Sequence, residues 1–175
     1  MSNLQTKMKK KMFKLGFIIN PIAGIGGSVA LKGSDDMAQH ALALGAKPKA
    51  NARAQTALKV LLPYQDEIMI YTANNQMGEQ AAKDLGFNTK LVYQTDTNAT
   101  QAFDTEQAVS ALLAEQVDII LFAGGDGTAR NIAKIVSANA IQSEQPQIPV
   151  LGIPAGCKLI YPCSTWLRLI KSPST

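Results

Sequence analysis

The stretch from Asp118 to Ala133, Asp-Ile-Ile-Leu-Phe-Ala-Gly-Gly-Asp-Gly-Thr-Ala-Arg-Asn-Ile-Ala, constrains the fold of this chain more than any other. Its apolar run, Ile119 to Ala123, is bounded by Asp118 and by glycines, as suits a strand buried on both faces. Gly124-Gly125-Asp126-Gly127-Thr128 follows, and Ala129, Ile132, Ala133, Ile135 and Val136 then recur at helical spacing. A strand that turns through glycines into a helix leaves the N–H groups of the first helical turn pointing outward, with the positive end of the helix dipole behind them. Such a place binds phosphate.

A carboxylate in that turn decides what the place can do. Two anions repel, so Asp126 beside a phosphate needs a cation or a reacting hydroxyl with it. It can accept a proton from an alcohol that attacks a γ-phosphate, or help to hold Mg²⁺. The plainer alternative is a capping Asp in a tight turn, with glycines there for backbone reasons. The whole pentapeptide, in a strand-to-helix context, favours the functional role.

Strands and helices alternate along the rest of the chain. Phe13 to Ile19 reads as a first strand, stopped by Asn20-Pro21. The loop Ala23-Gly-Ile-Gly-Gly-Ser28 lacks the Gly-Lys-Ser/Thr ending of a P-loop and the third glycine of a dinucleotide fingerprint. It would still sit at the carboxyl edge of the sheet, where open α/β folds bind ligands. Asn20 is therefore a candidate nucleotide contact, or else a turn-forming Asn before Pro. Helices are expected from Met37 to Leu44, from Ala52 to Leu62 and from Met77 to Leu85, and strands from Glu67 to Thr72 and from Lys90 to Tyr93. After a polar turn at Thr95 to Thr100, Asp104 and Gln107 make a capping-box pattern for a helix through about Glu115. The helix after Thr128 should reach about Ala140, and Ile148 to Ile153 reads as the last strand. The expected fold class is α/β, in three layers around a mostly parallel sheet of about five strands.

Composition closes off other classes. A chain of 175 residues is one domain's worth, and 46% apolar with 6% aromatic content fits α/β better than a β-sandwich. Residues 1–14 hold five lysines and residues 158–175 three basic residues, with no acid in either end. With eight of the 17 basic residues there, nine face 13 acids in between, a net −4. An acidic middle argues against a nucleic-acid-binding fold, and the leader, residues 1–13, reads as a solvated, disordered tail. Cys157 and Cys163 with the single His40 cannot build a zinc site, and free thiols point to a reducing cytoplasm. His40 reads as a surface or boundary residue. Asn20-Pro21 cuts the first apolar run too short for a signal peptide, and no run approaches the roughly 20 apolar residues of a membrane span.

Gly124-Gly125-Asp126-Gly127-Thr128 resembles the signature shared by NAD kinases, diacylglycerol and sphingosine kinases, and phosphofructokinases. Phe17-Ile-Ile-Asn-Pro-Ile-Ala-Gly-Ile-Gly-Gly27, Leu31-Lys-Gly-Ser-Asp35 and Gly152-Ile-Pro-Ala-Gly-Cys-Lys158 narrow the choice. Over about residues 14–158 the chain is similar to the N-terminal, Rossmann-like domain of the ATP–NAD kinase-like family, in the branch that includes acetoin-catabolism protein X. The resemblance implies transfer of the γ-phosphoryl group of ATP to the 2′-hydroxyl of the adenosine ribose of NAD, with Mg²⁺, giving NADP. By the same resemblance Asp126 orients or deprotonates that hydroxyl, and Gly124, Gly125 and Gly127 let backbone come close to phosphate. Thr128 contributes a hydroxyl or caps the helix, Asn20 faces nucleotide, and Arg130 balances phosphate charge or faces solvent. Small-molecule nucleotides are the implied partners, with neither nucleic acid nor membrane, and a homo-oligomer is one way to cover apolar surface. A lipid kinase of the diacylglycerol type shares the pentapeptide, but the segments at 31–35 and 152–158 speak against it.

The family pattern continues past Gly-Ile-Pro-Ala-Gly into a second, β-rich domain that helps to grip NAD. Residues 159–175, with the single Trp, Pro162 and no acid, read instead as an atypical tail. We expect a truncated product, read out of frame from about residue 159, with a natural short paralogue as the alternative. Truncation would favour a third function, a non-catalytic nucleotide-binding module.

Overall fold

The computed structural model describes residues 11–23, 49–95, 100 and 102–155. Five strands, β1 (Phe13–Ile19), β2 (Ile68–Ala73), β3 (Asn88–Tyr93), β4 (Ile119–Gly124) and β5 (Val150–Pro154), form one sheet in the order β3-β2-β1-β4-β5. Every neighbouring pair is parallel, as the alternation of strands and helices predicts. Among the described residues four helices flank it: α1 (Ala50–Lys59), α2 (Glu79–Asp84), α3 (Ala102–Ala114) and α4 (Asp126–Ser143).

Side-chain alternation along the strands divides the core between two faces. Leu15, Phe17 and Ile19 of β1, Ile68 and Ile70 of β2, and Leu121 and Ala123 of β4 pack with Ala50, Ala54 and Leu58 of α1 and Ala81 and Ala82 of α2. The intervening residues, Ile18, Tyr71, Ala73, Ile120 and Phe122, pack with Ala108, Val109 and Leu112 of α3 and Ala129, Ile132 and Val136 of α4. A sheet covered on both faces needs apolar residues at every position, which is why β1 and β4 read as unbroken runs. Gly16 faces α3, where an added β-carbon would stand 3.1 Å from Leu112 and Val117. The start of β1 is fixed to β4 by a reciprocal pair: the Lys14 N–H donates to the Asp118 carboxylate and the Asp118 N–H to the Lys14 carbonyl, each at 2.8 Å.

Three local expectations change. The Asp104–Gln107 capping box does not form, because α3 already begins at Ala102 and the Asp104 carboxylate is buried, accepting the Tyr93 hydroxyl at 2.8 Å. The helix expected from Ala52 to Leu62 ends at Lys59, and Leu62–Glu67 forms a 3-10 turn with Pro63 near its start. The helix expected from Met77 is split by Gly78 (φ 143°) into a 3-10 turn, Asn75–Met77, and α2. The helix placed at Met37 to Leu44, the segments at 24–28 and 31–35, most of the polar turn at 95–100 and residues 156–175 lie outside the described residues.

The topology fixes where a ligand can lie. From central β1 the chain steps outward through β2 to β3, then returns to place β4 on the other side of β1. Beyond the carboxyl ends of β1 and β4 the connections diverge and leave a crevice, the usual ligand position in an open α/β sheet.

Candidate functional site

Asn20, the first residue after β1, and the pentapeptide that ends β4 meet in that crevice. The Asn20 N–H donates to the Ala123 carbonyl at 2.9 Å, the last rung of the β1–β4 ladder. Its side-chain Nδ2 donates to Thr128 Oγ1 at 2.9 Å, and its Oδ1 accepts the Ile22 N–H at 3.2 Å. One amide thus ties the exit of β1 to the first turn of α4. Asn20 makes the turn before Pro21, and its amide keeps one N–H without a partner among the described residues.

Thr128 is buried, and its packing explains Gly124. A β-carbon at Gly124 would come within 2.7 to 2.9 Å of Thr128 Cβ, Cγ2 and Oγ1. The Gly124 carbonyl in turn accepts the Ala155 N–H at 3.1 Å, joining the end of β5 to the same turn. Gly125 and Gly127 differ. An added β-carbon at either would meet nothing within 4 Å, and neither has a positive φ. Neither packing nor backbone strain among the described residues asks for glycine there, so the open volume at the start of α4 is the feature those two residues preserve.

Asp126 is the first residue of α4, and Gly125 holds the N-cap position without any side-chain cap. The capping role considered for Asp126 is therefore not the one it plays. Its Oδ1 is enclosed and has no hydrogen-bond partner among the described residues. Burying an oxygen of a carboxylate without a partner is unfavourable, and a donor hydroxyl or a cation would relieve it. The positive end of α4, eighteen residues long, lies against the carboxylate, and the N–H groups of its first turn remain for an anion. Arg130 is exposed on α4 and takes no part in the Asn20–Thr128 bond.

Arg53 was not among the residues picked out by sequence. It reaches from α1 to donate from Nη1 to the Pro154 carbonyl at 2.7 Å, fixing the end of β5 from the face opposite α4. Its only sequence signal is rarity, since the chain has three arginines. Among the described residues no cluster of three or more His, Cys, Asp or Glu could hold a metal, and no helix is long and apolar enough to cross a membrane.

Residues 15–163 match the family described as the ATP-NAD kinase N-terminal domain. Neither a curated protein nor a solved structure matches the chain. The match takes in β2 to β5 whole, β1 from its third residue, and the pentapeptide that frames Asp126. On that breadth of agreement, the chain belongs to the ATP-NAD kinase N-terminal domain family.

Proposed function

We propose that this chain is an ATP-dependent NAD kinase-like phosphotransferase domain, with Asp126 handling the proton of the 2′-hydroxyl that attacks the γ-phosphate. The observation that carries the reading is the enclosed Asp126 Oδ1 at the start of α4, without a hydrogen-bond partner among the described residues, beside space kept open by Gly125 and Gly127. The family match supports the reaction class. A phosphate at the N–H groups of α4 and a hydroxyl at Asp126 would be neighbours, which is the positioning that phosphoryl transfer depends on.

The donor set suits Mg²⁺, which binds through one or two carboxylates plus the phosphates of the substrate and needs no all-protein cage. Asp126 is the residue here that would hold it. When bound, the ion would neutralise charge on the transferring phosphoryl group. Asn20 keeps Thr128, and with it the first turn of α4, in register with the end of β1. Gly125 and Gly127 give backbone access to phosphate, Gly124 leaves room for the buried Thr128 beneath them, and Arg130 adds long-range positive charge from an exposed position.

Transfer of radiolabel from γ-labelled ATP to NAD, and in parallel to diacylglycerol, tests the proposal. NADP should form, and Asp126→Asn should lower its rate by about 10²-fold or more while thermal unfolding stays unchanged. Label on diacylglycerol instead would move the chain to the lipid kinases. Saturable nucleotide binding with no labelled product would make it a binding module.

A further inference from the structure

One peptide unit links α1 to the glycine turn. Pro154 ends β5, and its carbonyl accepts Arg53 Nη1 at 2.7 Å. The N–H of that same peptide, carried by Ala155, donates to the Gly124 carbonyl at 3.1 Å. Arg53 therefore reaches the turn through two hydrogen bonds with a single planar group between them. Ala155 is 1% exposed and belongs to the core cluster that holds Ala50 and Ala54 of α1, so the peptide is seated beside the helix that carries Arg53.

β5 is a strand that needs holding. Among the described residues it pairs with β4 alone, and its Leu151 is exposed. The end of such an edge strand opens at little cost. A guanidinium that donates to a carbonyl makes a charge-assisted bond, stronger than one between neutral groups. It also polarises the peptide, which strengthens the bond made by the N–H at the other end. Without Arg53 the Ala155–Gly124 bond is weaker.

The consequence reaches the crevice through the next peptide. The Gly124 carbonyl and the Gly125 N–H share one planar unit and point in opposite directions. Holding the carbonyl toward β5 turns the Gly125 N–H toward β1, the side on which the crevice lies. Packing does not fix this unit, since a β-carbon on Gly125 would meet nothing within 4 Å. Hydrogen bonds do: Ala155 N–H to the Gly124 carbonyl on one side, and Ala129 N–H to the Gly125 carbonyl at 3.0 Å on the other. We propose that Arg53 is a positioning residue for phosphate binding, which holds the Gly124–Gly125 peptide with its N–H aimed into the crevice. The proposal rests on the nucleotide reading above, and in this role Arg53 acts through the Pro154–Ala155 peptide without touching the phosphate.

Amide hydrogen exchange of the full chain, followed by NMR, and calorimetric titration with ATP and with inorganic tripolyphosphate test it together. Arg53→Met keeps an aliphatic stem and removes the donor. It should speed exchange of the Ala155 amide by about tenfold, move the Gly125 amide resonance, and leave the amides of β1 unchanged. ATP and tripolyphosphate should both weaken by about threefold to tenfold, because the geometry lost is that of the phosphate seat. Arg53→Lys keeps the charge and one donor, and should recover part of both the protection and the affinity. Unchanged Ala155 exchange in Arg53→Met overturns the proposal. Faster exchange shared equally by β1, β4 and β5 overturns it too, by making Arg53 a general stabiliser. So does affinity regained by lysine without protection of Ala155, which leaves charge alone as the cause, and so does a loss for ATP that spares tripolyphosphate. These outcomes leave the nucleotide reading intact, whereas a wild-type chain that binds neither ATP nor tripolyphosphate overturns both.

Discussion

A β-carbon on Gly124 would fall 2.7 Å from the Cβ of Thr128, whereas one on Gly125 or Gly127 would meet nothing within 4 Å. The difference separates stability from function within five residues. Gly124→Ala should destabilise the fold by about 1–3 kcal/mol, measured by urea denaturation, because Thr128 is buried and tied to Asn20 and cannot give way freely. Gly125→Ala keeps an ordinary backbone (φ −101°, ψ −170°), so its unfolding midpoint should stay within about 0.5 kcal/mol of the parent. The same change should weaken ATP binding in a calorimetric titration by occupying the open space. In the sequence these glycines look alike. Their roles depend on the packing of Thr128 against the turn and on the Asn20–Thr128 bond, whose partners lie 108 positions apart. The chemistry-bearing residue was legible because its setting is local: strand, glycines, carboxylate and helix follow one another without a gap.

Among the elements, the entry to α2 is the most tightly specified. Gly78 has φ 143°, and a β-carbon there would lie 2.2 Å from Thr72 Oγ1 and 3.0 Å from the Phe17 carbonyl, the two atoms that hydrogen-bond to each other at 2.7 Å. Gly78→Ala should therefore cost about 2–5 kcal/mol, read from chemical denaturation, since strain and overlap add. The next residue brings a dependence on pH. The Lys83 hydrogen bond, and less strongly the Asn75 N–H, hold the Glu79 carboxyl below its ordinary value of 4.5, against an opposing effect of burial. Because the folded state binds that proton less readily than the unfolded chain, the contribution is complete above pH 4.5 and is lost as pH falls through the lowered value. Glu79→Gln should lower stability at neutral pH by less than about 1 kcal/mol, because Lys83 is more than half exposed, and should flatten the acid limb of the stability curve. Element boundaries were readable where local signals decide them, as in β1, whose expected and observed limits coincide. They were not readable at α3. There a hydrogen bond from Tyr93 on β3, eleven positions away, claims the carboxylate that local pattern assigns to a cap.

At the scale of the whole molecule the sheet has a protected centre and two plainer edges. β1 and β4 are each paired on both sides, and residues 120–123 of β4 and 15–19 of β1 are buried, whereas Leu151 on edge strand β5 is 58% exposed. Native-state hydrogen exchange should find the slowest amides in β1 and β4 and faster ones in β5. The all-parallel architecture followed from the alternation of elements. The strand order did not, because a chain that reverses at β1 and one that winds on in a single direction share the same alternation.

Placing β1 at the centre has a consequence in time. β1 lies near the amino end of the chain, yet one of its two neighbours, β4, begins a hundred residues later. The contacts that join them, Lys14 to Asp118 and Asn20 to Thr128, close loops of 104 and 108 positions. During synthesis or refolding, one edge of this central strand stays bare until β4 arrives, and the crevice does not exist before that docking step. Closing such long loops is slow, so acquisition of ligand affinity should coincide with the last, global phase of refolding and be missing from any earlier collapsed species. Stopped-flow refolding followed by nucleotide fluorescence would show a single late phase in place of a burst.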